Sequence, residues 1–203
     1  MSSSTIIEEV FQLRQRGLAS LAFFYCDFRD VNKKNLRGLV SSILLQLCDH
    51  SDPYSTILSD FYSAHGGGSR EPSDIELTEC LEDILRHPGQ APTYIIIDGL
   101  DECPDTFGMP SPREKVLALL RRLVNLHLQS LHVCITSRPE VDIQTAINPL
   151  SFRPISLHDE SGQRQDIVNY IRSIVYTDAK MERWRPDDKE MVIDVLTKKA
   201  DGM

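Results

Sequence analysis

Thr93-Tyr94-Ile95-Ile96-Ile97-Asp98-Gly99-Leu100-Asp101-Glu102 is the stretch that decides the fold. Four of the five residues before Asp98 are large and apolar, three of them consecutive isoleucines. A run this short and this apolar reads as a strand buried on both faces, as in a parallel sheet covered by helices. It stops at Asp98, and Asp101 and Glu102 follow just past Gly99. Carboxylates are costly to bury unpaired, so three at the mouth of a buried strand need a cation or solvent. In open parallel sheets, ligands sit just outside the carboxyl ends of the strands. The segment therefore reads as a Walker B motif. Asp98 holds Mg²⁺ on a nucleotide, and Asp101 or Glu102 orients the attacking water. The competing reading is a buried strand that exits into a polar turn, because glycine and acids are common turn residues.

Upstream, Ile6, Ile7, Val10, Phe11 and Leu13 recur at helical spacing over 2–16. Ser4 or Thr5 is the expected cap and Gly17 the stop. Residues 18–26 form a second apolar strand, which exits into Asp27-Phe28-Arg29-Asp30. Leu36, Leu39, Val40, Ile43, Leu44 and Leu47 make an amphipathic helix. Asp52-Pro53 opens another, running through Tyr62. His65-Gly66-Gly67-Gly68-Ser69 is no phosphate loop: no Lys-Ser or Lys-Thr follows and no buried strand precedes it. It reads as a linker. Ser73 caps a helix over 74–87, with Glu76 at the capping-box offset.

Downstream, a Pro- and Gly-containing loop leads to a leucine-rich helix over 113–128. Residues 131–136 are a third buried-type strand, ending in Thr136-Ser137-Arg138-Pro139. Residues 152–157 suggest a weaker fourth strand, broken by Pro154. Helices over 163–176 and from Pro186 complete the chain. Strands separated by helices predict an α/β fold: a three-layer α/β/α sandwich on a mostly parallel sheet of about four strands.

The chain has 203 residues, of which 41% are hydrophobic, enough for a sizeable core in one domain with the start of a second. Its net charge of -8 argues against a nucleic-acid surface, whose footprint is basic. The five cysteines are odd in number and widely spaced, with no C-x-x-C, so neither a zinc site nor a disulfide framework is predicted. Cys26 and Cys134 read as small core residues. A reducing compartment, the cytoplasm, is expected. No apolar run approaches the ~20 residues of a membrane span, and no secretory signal is visible.

Arg138 sits where the 131–136 strand exits. If that strand neighbours 93–98, three acids and one arginine converge at one crevice, and the planar guanidinium suits a terminal phosphate. An ordinary ion pair between Arg138 and Asp101 or Glu102 is the alternative. A metal-dependent hydrolase using the three acids lacks nearby histidine ligands, since His87 and His132 belong to other elements; His132 reads as a satisfied core or edge histidine.

Three segments, YIIIDGLDEC (94–103), LHVCITSRPE (131–140) and ISLHDESGQRQDIVNYI (155–171), resemble the NACHT-type NTPases of the STAND class. They look most like the fungal proteins with a nephrocystin 3-like N-terminal module. LASLAFFYCDFRD (18–30) and the terminal KKADGM resemble the same family. The resemblance implies a P-loop NTPase-like fold with Asp98 on Mg²⁺, Asp101 or Glu102 positioning water, and Arg138 as the sensor of the terminal phosphate. It implies ATP or GTP as the nucleotide, a signalling switch that self-associates, and downstream repeat and effector domains. One departure stands out: no G-x-x-x-x-G-K-[ST] occurs. The expectation is a fragment that begins after the Walker A loop. Residues 1–180 form a partial nucleotide-binding domain and 181–203 the start of a truncated helical region. Such a chain lacks the P-loop strand, exposes sheet edges and is inactive alone. The rival expectation is a non-catalytic interaction scaffold.

Overall fold

The computed structural model describes residues 3–49, 51–106, 108–150, 152–153, 161–178 and 180–200, with backbone alone at 161–164, 166 and 200. The chain divides into two compact units, Met1–Phe152 and Arg153–Met203.

The first unit is built on three parallel strands: β1 (Ser20–Tyr25), β2 (Thr93–Asp98) and β3 (Leu131–Ile135), in the order β1-β2-β3. The isoleucine run is the middle strand. The register places Ile96 between Phe23 and Cys134, and Ile97 between Phe24 and Ile135. Side chains alternate across a strand, so Ile95 and Ile97 enter one core and Ile96 the other. All three are essentially fully buried. The expected burial on both faces is what the fold shows.

The larger core lies under α2 (Leu36–Cys48), α4 (Asp74–Arg86) and α5 (Pro112–Asn125), with α3 (Asp52–Ala64) packed on α2 and α4. Helix α1 (Ser3–Gln15) covers the opposite face over β1 and β2. These helices and the sheet make a three-layer α/β fold. On β3 the exposed His132 ring stacks on Tyr94 at 4.6 Å. His132 is thus an edge residue. The outer edge of β1 is blunted by Gln46, whose amide takes both backbone groups of Phe23 at 3.0 and 2.8 Å.

Three local expectations change. Helix α1 already includes Ser3, Ser4 and Thr5, so the latter two are not its caps; Gly17 (φ 70) does end it, with Leu18 N–H donating to Leu13 C=O at 3.0 Å. Helix α5 ends at Asn125, three residues early. A short helix α6 (Val141–Ile147), absent from the sequence reading, follows β3. Of the fourth strand expected over 152–157, Phe152 and Arg153 are unpaired coil, and 154–157 lie outside the described residues.

In the second unit, α7 (Ser161–Thr177) packs on α8 (Pro186–Ala200). Val175 and Ile193 are buried there, and Glu190 accepts from both Arg172 and the Tyr176 hydroxyl at 3.1 and 2.9 Å.

The capping box of α4 forms as expected. Glu76 N–H donates to Ser73 Oγ at 3.2 Å, and the Glu76 carboxylate accepts from Ser73 N–H at 2.7 Å. The Ser73 amide, then its hydroxyl and Arg70, hold the Glu76 carboxyl down to about 2 from its ordinary 4.5. A carboxyl depressed in the folded state stabilises above its unfolded value and loses that contribution as pH falls through the folded one. Glu76→Gln is therefore expected to melt below the parent chain at pH 7. The gap should narrow as pH drops from about 4.5 to about 2. Thermal melts across that window check this, and a constant gap would reject it.

Candidate functional site

Because all three strands are parallel, their carboxyl ends share one rim. Asp98 ends β2 there. Gly99 follows in the left-handed region (φ 70, ψ 45) and turns the chain into a 3₁₀ turn, Leu100–Glu102. A Cβ on Gly99 would meet only ordinary contacts, 3.7 Å to Cys26 O being the nearest. The backbone angle, not space, makes glycine necessary.

Thr136, the first residue past β3, fastens this turn to the sheet. Its hydroxyl donates to Asp98 Oδ1 in a short hydrogen bond and accepts from the Gly99 amide at 2.9 Å. Its carbonyl accepts from Leu100 N–H at 2.9 Å, and its own N–H donates to Ile97 C=O at 2.9 Å. One carboxylate oxygen of Asp98 is thereby taken and oriented.

Asp101 faces the β3 exit. Its Oδ1 accepts from the Arg138 amide at 3.1 Å, and its Oδ2 lies 3.4 Å from Arg138 Nε. The Arg138 side chain is 84% exposed against 12% for Asp101. Glu102 turns the other way and accepts from Phe28 N–H, on the β1 exit, at 3.3 Å. Next to it Asp27 chelates Arg29 through both oxygens at 2.9 and 3.0 Å, and that guanidinium holds the Asp27 carboxyl down to about 2.

Two contributors escaped the sequence reading. Thr136 is the first. Its signal is the parallel register that pairs Ile97 with Ile135 and so sets Thr136 across from Asp98, which appears only in the folded sheet. The second is Arg113, in the first turn of α5. It is 5% exposed. Its Nε and Nη2 donate to the carbonyls of Cys103 and Asp101 at 2.8 and 2.7 Å, and Nη1 lies 3.0 Å from Asp142. Glu140 and Asp105 stand further off, at 3.5 and 3.8 Å. An arginine in a helix's first turn gives no local sign that it will be buried.

Asp98, Asp101, Glu102 and Arg138 thus share one rim. Among the described residues, no three His, Cys, Asp or Glu side chains are grouped to hold a metal ion. The site therefore fits only a cation that brings most of its own ligands. Mg²⁺ does so, keeping waters and phosphate oxygens with one or two carboxylates. Two clefts open elsewhere, one beside Phe11 and Phe23 and one beside Leu58 and Tyr62. No described helix is long and apolar enough to cross a membrane.

A family model described as Nephrocystin 3, N-terminal matches residues 1–138. The vegetative incompatibility protein HET-E-1 of Podospora anserina is 31% identical over 100 residues. That match covers 48% of this chain and 7% of the relative's length. No solved structure matches.

Removing Arg113 leaves two turn carbonyls without their charged donor. Arg113→Met is expected to cost about 3 kcal/mol, from roughly 1.5–3 kcal/mol per hydrogen bond to a charged group less the gain from an apolar replacement. Arg138→Met, which removes an exposed guanidinium and leaves Asp101 its bond from the residue 138 amide, is expected to change stability little. Urea unfolding of the two variants beside the parent chain checks the contrast.

Proposed function

This chain belongs to the nephrocystin 3 N-terminal family, and on that premise we propose that it is part of the NTPase module of a nucleotide-driven signalling switch. The observation that carries this reading is the shared rim: Asp98 at the end of β2, Asp101 and Glu102 on the turn after it, and Arg138 at the adjoining strand exit. Asp98, with one oxygen fixed by Thr136, presents the other to Mg²⁺. Bound Mg-ATP or Mg-GTP supplies the phosphate oxygens that complete the cation's shell. Glu102, whose carboxylate accepts from the Phe28 amide, positions water, and Asp101 is the alternative for that role. Arg138 leaves Asp101 for the terminal phosphate, since its own side chain is 84% exposed and free to swing. In the intact protein the switch acts in the cytoplasm on downstream repeat and effector domains and through self-association.

The second reading is a non-catalytic interaction scaffold. The Arg138–Asp101 pair and the Thr136–Asp98 bond favour it, because they tie these side chains to one another.

These 203 residues contain no G-x-x-x-x-G-K-[ST], so neither its lysine nor its backbone cradle is present. Calorimetry with Mg-ATP is expected to show no low-micromolar binding to this chain alone. Joined to an upstream segment carrying that motif, the protein is expected to bind and slowly hydrolyse nucleotide. Glu102→Ala should then keep binding while turnover falls on the order of 100-fold or more. Binding with no turnover in the joined parent protein would favour the scaffold, and unchanged turnover in the variant would remove Glu102 from the mechanism.

A further inference from the structure

Two cysteines bracket the acidic turn. Cys26, one residue past β1, donates its amide to the Asp98 carbonyl at 2.9 Å. Cys103 caps the 3₁₀ turn immediately after Glu102, and its amide donates to the Leu100 carbonyl at 3.1 Å. The two residues are 77 positions apart in the chain, yet their sulfur atoms are 3.6 Å apart. Both thiols are free and buried. A disulfide needs about 2 Å between sulfurs, so each would move by only about 0.8 Å.

The reagent must be small, because Cys26 is 7% exposed and Cys103 fully buried. Cys103 opens the loop over 104–111, whose residues Asp105, Thr106, Gly108, Met109 and Pro110 are exposed. Cys26 lies two residues from Phe28, itself 60% exposed on the same rim. Cys48 and Cys80 sit under the helices of the larger core, and Cys134 lies on β3 toward the α1 face.

We propose that Cys26 and Cys103 are the site of a reversible disulfide that clamps the acidic turn onto the β1 exit. The oxidant is a small peroxide. One of the pair, as thiolate, attacks an oxygen of hydrogen peroxide. The O–O bond breaks, and the departing hydroxide takes a proton to become water, leaving a sulfenic acid. The neighbouring sulfur then displaces that hydroxyl. The S–S bond forms, the S–O bond breaks, and the second thiol's proton leaves in a second water. Two thiols are oxidised by two electrons and one peroxide is reduced to two waters. A dithiol reductant reverses the bond by exchange. The bridge links Cys26, already bonded to the Asp98 carbonyl, to the residue after Glu102. It therefore closes the turn covalently and stiffens it. Nothing in this depends on nucleotide binding.

The test uses the folded, reduced chain, treated with hydrogen peroxide at neutral pH and then alkylated. Free thiols are expected to fall from the five of the sequence to three, with the peptides of Cys26 and Cys103 cross-linked. Dithiothreitol should restore all five. Backbone hydrogen exchange over 99–102 should slow about tenfold or more in the oxidised form. Cys26→Ala and Cys103→Ala should each remove the cross-link. Should a buried substitution prevent folding, the cross-link map and exchange of the unsubstituted chain decide alone. A cross-link between any other cysteines, a bridge that forms only in denaturant, or both thiols surviving peroxide would overturn the proposal. So would a bridge that leaves exchange over 99–102 unchanged.

Discussion

The side chain of Thr136 joins two strands at the point where one of them must change direction. Its hydroxyl gives its proton to Asp98 and takes one from Gly99, while its backbone continues the ladder on both sides. A carboxylate at the end of a buried strand is held at a defined angle, and a left-handed glycine is held just past it. Every other placement at the rim follows. Leu100 drops into the core, fully buried, and so fixes the two acids after it on the outer side. One of these reaches the β3 exit and the other the β1 exit. Parallel pairing makes this possible, because it delivers three chain exits to the same edge of the sheet.

Much of this was legible in the sequence, and the reason is burial. Ile95, Ile96 and Ile97 need apolar neighbours on both faces, which only a covered parallel sheet provides. The helices that cover it announce themselves by apolar stripes, and α4 by a serine and glutamate three residues apart. What escaped has physical causes. Helix α6 is only seven residues long, and just Ile143 and Ala146 are buried, too few turns for a period to show. The cap expected near Thr5 failed because α1 already includes Ser3 and Ser4, serine being tolerated within a helix.

The site was legible in outline only. Four charged residues were placed by motif: Asp98 ends β2, Asp101 and Glu102 sit on the turn after it, and Arg138 lies beside them. The side chains that hold them were not. Thr136 required the register, which a single sequence does not state. Arg113 required knowing that two carbonyls of the turn face the start of α5. Cys26, which reads as a small core residue, shows its companion only when the chain is folded back on itself across 77 positions.

Arg113 holds the acidic turn through its main chain, while its remaining nitrogen meets the Asp142 carboxylate. Two of its nitrogens grip the peptide carbonyls on either side of Glu102, while the arginine itself is rooted in the first turn of α5. A loop held through its own main chain follows its anchor whatever its side chains are doing. The segment carrying Asp101 and Glu102 is thereby anchored to the same helix that packs into the core through Leu120 and Leu123, so a tilt of α5 would strain its two carbonyl grips.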